Sequence, residues 1–155
     1  MKPSPQKSSI VWLQGLTCNG NSHSFFNYPQ MPSFAASFEM LYHPLLITEM
    51  SFEALMKSDV SFDFLILEGA LSHDGSLIQK FNTSFEAIVD SLAKRAKYII
   101  CAGSCASFGG IFRLQDTKRI SGALFSGKEK GGYWAEKENV INLPGCPLHP
   151  RWLVD

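Results

Sequence analysis

Four residues of this sequence, Cys18, Cys101, Cys105 and Cys146, have side chains suited to redox or metal chemistry. Three of them sit among small and turn-forming residues. The runs are Gly15-Leu16-Thr17-Cys18-Asn19-Gly20-Asn21, Gly103-Ser104-Cys105-Ala106-Ser107-Phe108-Gly109-Gly110 and Pro144-Gly145-Cys146-Pro147. Thiolates are the preferred ligands of soft iron–sulfur groups, and four is the number such a cluster usually takes. Neighbouring glycines let backbone approach a cluster and aim N–H groups at its sulfurs. Cys101 is different. It lies inside the apolar run KYIICA, four residues before Cys105, where packing against a helix is the expected role. The four histidines show no metal-binding spacing; His43, His73 and His149 read as surface or loop residues, and only His23 lies near Cys18. No phosphate-binding loop or dinucleotide glycine pattern is present, and Ser104 and Ser107 lack a nucleophile-elbow context. Nucleotide binding and hydrolase chemistry are therefore not expected.

The elements that would position these cysteines can be read from apolar spacing. Short apolar runs at Ser9–Gln14, Phe62–Leu67, Lys97–Ala102 and Asn139–Leu143 predict strands, with a further strand within Phe38–Ile47 limited by Pro44. Asn21, Ser22 and Ser24 offer caps for a short helix bounded by Pro29 and Pro32, and Ser51 caps a second over Ser51–Lys57. Phe85, Ile88, Val89, Leu92 and Ala96 give helical periodicity over Thr83–Ala96. Alternating strands and helices predict an α/β, doubly wound, mostly parallel sheet with helices on both faces. In such sheets the carboxyl ends of the strands form the ligand-binding rim. Cys18, Cys105 and Cys146 each follow a predicted strand, so three cysteines far apart in sequence are expected at one edge.

The 155 residues suit one compact domain, and 45% apolar against 18% charged residues excludes a disordered chain. Basic and acidic residues balance at 14 each, which gives no cationic surface for nucleic acid or anionic lipid. With 12 Phe and 3 Trp, the chain has apolar surface to share with a partner. Phe25, Phe26, Phe34 and Phe38 are candidates for either core or partner contact, and Lys128-Glu129-Lys130 reads as a solvated loop. No apolar run reaches the roughly 20 residues needed to span a bilayer. Residues 1–9 read as a loose leader without a secretory signal or twin arginine, so the expected location is cytoplasmic.

Taken together, the cysteine runs resemble the N-terminal, flavodoxin-like domain of the small subunit of [NiFe] hydrogenases. A wider superfamily includes the related cluster subunit of NADH:ubiquinone oxidoreductase. The likeness rests on Cys18, the GSCASFGG run around Cys105, the PGCP run around Cys146, Leu67-Glu68-Gly69-Ala70 and Asp74-Gly75, and extends over roughly Ile10 to Pro150. It implies an electron-transfer subunit holding a proximal-type [4Fe-4S] cluster through Cys18, Cys105 and Cys146. The implied partners are a hydrogenase-like large subunit, which carries the nickel, and a redox donor or acceptor protein. Membrane association would come through such partners. Glu68 matches the family's buried glutamate, implying proton movement or interface hydrogen bonding, against a plain loop carboxylate.

Two departures stand out. Asn21 occupies the place of the family's fourth cysteine. That leaves a cluster completed by Asn21, His23 or solvent, a [3Fe-4S] cluster, or none. Residues 10–155 would form a single iron–sulfur-binding domain, with the family's C-terminal cluster domain absent or truncated. The competing expectation is a cluster-free paralogue acting in interaction, assembly or regulation. A redox-sensing pair, Cys101 with Cys105, is a weaker third.

Overall fold

A computed structural model describes residues 7–80 and 82–154. Its centre is a five-stranded sheet of β1 (Ser8–Gln14), β2 (Phe38–Tyr42), β3 (Phe62–Glu68), β4 (Ala96–Ala102) and β5 (Val140–Leu143). The spatial order is β2-β1-β3-β4-β5, and every neighbouring pair is parallel. This is the flavodoxin-like winding, whose direction reverses between β1 and β3. The doubly wound expectation therefore holds. Of the leader expected over residues 1–9, residues 1–6 lie outside the described residues, whereas Ser8 and Ser9 already belong to β1.

Side chains on each central strand alternate between two apolar layers, as parallel strands covered on both faces require. Val11, Leu13, Leu65, Leu67, Ile99 and Cys101 enter the larger core, with Leu55 and the helix residues Phe85, Ile88, Val89 and Leu92. Ile10, Trp12, Ile66 and Ala102 face the other way, toward Phe25 and Leu148. Cys101 is completely buried in the larger core and its thiol pKa is pushed far up by that burial, which agrees with a packing role. Phe25 is buried in the second layer, while Phe26 and Phe38 are half-buried against it.

Among the described residues, six short α-helices connect the strands. They are α1 (Gly20–Phe26), α2 (Met31–Ala35), α3 (Phe52–Lys57), α4 (Phe85–Ala93), α5 (Gly103–Phe108) and α6 (Gly110–Gln115). Ser51 caps α3 by accepting from the Ala54 N–H at 3.1 Å, as its sequence position predicts. The Ser84 hydroxyl does the same for Ala87 N–H at 3.2 Å, so α4 begins at Phe85. Its amphipathic run ends at Ala93, because Lys94 and Arg95 turn the chain into β4. Ser84→Ala is expected to lower the unfolding free energy by about 1 kcal/mol. A urea midpoint identical to that of the unsubstituted chain would show that packing alone places α4.

β2 stops at Tyr42, within the limit expected from Pro44, which cannot donate to a neighbouring strand. Another stretch folds differently from the sequence expectation. The glycine-rich run after β4 is not an open loop: Gly103–Phe108 is a turn and a half of helix, with Cys105 on it.

Candidate metal centre at the cysteine loops

β1, β4 and β5 each deliver a cysteine within a few residues of their carboxyl ends. Parallel strands place those ends on one side, so Cys18, Cys105 and Cys146 share the rim beside the β1/β3 reversal. Cys18 and Cys146 are exposed, and Cys105 is half-buried. The Cys105 thiol pKa is raised chiefly by burial. The Ile111 backbone N–H opposes this, while negative charge on Cys146, Cys18 and Glu68 adds to it. Cys105 thus lies within electrostatic reach of both other cysteines.

Hydrogen bonds bind the three loops into one framework. The second and third are joined by Ser104 N–H donating to the Gly145 carbonyl at 2.8 Å and Gly145 N–H donating to the Ser104 hydroxyl at 3.2 Å. The first loop reaches both through Asn21. Its Nδ2 donates to the Ala102 carbonyl at 3.2 Å, and its Oδ1 accepts from Leu148 N–H at 2.9 Å. Gly103 makes room for that amide. Its φ is +89°, and a Cβ there would stand 2.4 Å from Asn21 Nδ2. Gly110, at φ +52°, likewise leaves space beside Cys105, where a Cβ would lie 2.5 Å from Sγ.

Behind these loops lies a buried polar cluster that sequence reading only partly located. Glu68, the last residue of β3, is 0% exposed. Its Oε2 accepts from Trp12 Nε1 at 3.1 Å, from Gln14 Nε2 at 3.3 Å and from the Ser22 hydroxyl. Its Oε1 accepts from Asn21 N–H at 3.0 Å, Ser22 N–H at 3.3 Å and the Thr17 hydroxyl at 3.3 Å. His43, expected at the surface or in a loop, is instead buried at 1% exposure between the Trp12 and Phe26 rings. Leu45 N–H donates to its Nδ1 at 3.1 Å, which leaves Nε2 to carry the proton and donate to the Ser22 hydroxyl at 3.2 Å. Desolvation lowers the His43 pKa to about 4, against the opposing pull of the Glu68 charge. The resemblance had marked Glu68, and Gln14, a polar residue ending an apolar strand, was a further sequence signal for this cluster; nothing in local spacing marks His43.

His23 stands exposed on α1. Among the described residues, no three or more His, Cys, Asp or Glu side chains gather closely enough to hold a single metal ion. A multi-iron cluster distributes its thiolates over separate corners, so it needs a wider spacing than one ion does. The chemistry of the donors fits iron–sulfur at three corners: soft thiolates, glycine clearance beside Cys105, and backbone N–H groups at the loops.

Over residues 18–155 the chain matches the family described as NADH ubiquinone oxidoreductase, 20 Kd subunit, and it belongs to that family. It is homologous to hydrogenase small subunits. It is 24% identical to the periplasmic [NiFeSe] hydrogenase small subunit of Desulfomicrobium baculatum, covering 99% of this chain and 55% of the relative. It is 26% identical to the periplasmic [NiFe] hydrogenase small subunit 1 of Nitratidesulfovibrio vulgaris, covering 96% and 49%. The fold agrees with a reduced, active form of the Ni-Fe-Se hydrogenase from Desulfomicrobium baculatum, with a TM-score of 0.73 at 22% identity, over 96% of this chain and 60% of that one. The chain spans about half the length of the relatives it matches. These relatives also correct one expectation. A cytoplasmic location, argued from the lack of a signal, does not stand when homologous small subunits are named as periplasmic. Among the described residues no helix is long and apolar enough to cross a membrane, which assigns no compartment.

Proposed function

We propose that this chain is an electron-transfer subunit of a hydrogenase-like complex, with an iron–sulfur cluster held by Cys18, Cys105 and Cys146. The observation that carries the reading is the delivery of three cysteines, from three separate strand ends, to one rim in a family related to hydrogenase small subunits. When bound, the cluster would supply one-electron chemistry. The chain's own contribution is position and environment. The cysteine loops are tied by the Ser104–Gly145 hydrogen bonds and by the Asn21 amide, and Ile111 N–H points at the Cys105 sulfur. Glu68 lies behind them, in contact with the Thr17 and Ser22 hydroxyls through which a proton could be exchanged. A large subunit would dock on this side, where Ile111 and Leu114 of α6 are 67% and 74% exposed beside Cys105. A redox donor or acceptor protein would complete the circuit.

Iron and acid-labile sulfide per chain, counted after anaerobic reconstitution, test this reading. The expected result is about three or four irons, lost when Cys18, Cys105 and Cys146 are all replaced by Ala. About four would mean a complete [4Fe-4S] cluster with a non-cysteine fourth ligand, and about three a [3Fe-4S] cluster. Background iron in both proteins would overturn it and favour a cluster-free interaction or assembly protein.

A further inference from the structure

We propose that Asn21 is a positioning residue that clamps the three cysteine loops together through its side-chain amide, and is not the fourth ligand of the site. The proposal rests on the reading of those loops as one site, though not on what the site binds. Asn21 is only 9% exposed. Both ends of its amide already have partners on the two other loops: the Ala102 carbonyl, immediately before the Cys105 helix, and Leu148 N–H, two residues beyond Cys146. Its backbone N–H is held by Glu68 at 3.0 Å. An oxygen that accepts a 2.9 Å hydrogen bond would have to give up that bond to turn toward a metal. A neutral amide oxygen is also a hard donor, poorly matched to thiolate-bound iron.

The consequence is a division of labour. A fourth cysteine at this position would join the loops only through a bound cluster. The Asn21 amide joins them without one, so the three thiols are pre-arranged in the empty protein. The site is left with three protein ligands and one corner open to an external donor. Gly103 belongs to the same device, because any side chain there would displace the amide.

Amide hydrogen exchange needs no bound group, so it reads the clamp directly. The measurement is made on the full, reduced, metal-free chain. It follows the exchange rate of the Leu148 amide hydrogen and the alkylation rate of the half-buried Cys105 thiol. The unsubstituted chain is expected to be slow in both. Asn21→Ala should speed Leu148 exchange by about tenfold, for the lost hydrogen bonds, and make Cys105 react faster. Asn21→Asp has the same shape and keeps the acceptor for Leu148 while losing the donor to Ala102. It should fall between the two, and it keeps the test open if the Ala variant does not fold. A ligand role predicts the opposite split: unchanged Leu148 exchange and Cys105 reactivity in both variants, with loss confined to reconstituted iron. That outcome would overturn the proposal. Failure of iron reconstitution alone would overturn the electron-transfer reading and leave the clamp intact.

Discussion

Replacing Glu68 with Ala is expected to remove roughly 3–5 kcal/mol of folding stability, a large share of what a domain of this size has. The carboxylate is fully buried and receives hydrogen bonds from Trp12, Gln14, Thr17, Ser22 and the Asn21 backbone. Deleting it strands several donors at once where bulk water does not reach. An unmade buried hydrogen bond is penalised more than a made one contributes. Glu68→Gln preserves the volume but turns an NH2 group toward N–H donors, whichever way the amide is oriented. The Thr17 and Ser22 hydroxyls can rotate to accept from it, while the Trp12, Asn21 and Ser22 N–H groups cannot. The Gln variant should therefore lie between the parent and Glu68→Ala in urea unfolding. A Gln variant as stable as the parent would show that the donors need no carboxylate. In that case Glu68 would be held for its chemistry and not for the fold.

Acidification from about pH 6.5 to about pH 4 is expected to weaken the fold by up to about 3 kcal/mol through His43 alone. The sign follows from where the proton binds. Unfolded, His43 takes up a proton near its ordinary value of 6.5, whereas the folded protein resists until about 4. Across that window the unfolded chain binds more protons, so stability falls as the pH falls. The structural cause is burial between Trp12 and Phe26, with Leu45 N–H facing the Nδ1 lone pair that a second proton would need. His43→Gln can keep a donor for Ser22 and an acceptor for Leu45 but does not titrate. Unfolding in urea at half-unit pH steps should show this slope in the parent and its loss in the variant. Asp74, held to about 2 by hydrogen bonds from Ser76 and Ser72, loses its contribution only as pH falls below about 4, so the two windows separate. Parallel slopes for parent and variant would sink the assignment to His43.

The local sequence determined the strands, the sheet class and the rim on which the cysteines meet. Those features are written in short-range patterns: apolar runs ending at glycine, helical spacing from Phe85 to Leu92, and a cysteine just past a strand end. In a parallel sheet, a residue following any strand lies on the same side as a residue following any other, so Cys18, Cys105 and Cys146 belong to one rim by topology. The family patterns around them pointed the same way. What local spacing did not carry were choices made by contacts between distant segments. Asn21 reads as a missing ligand along the chain, yet its amide reaches Ala102 and Leu148, 81 and 127 residues away. His43 reads as a loop histidine, yet β2 carries it inward beside Trp12 and toward Ser22. A side chain's hydrogen-bonding capacity is fixed by its type, but its partners are fixed by packing. Tertiary structure alone therefore decided which polar groups became buried network and which stayed free to meet a ligand.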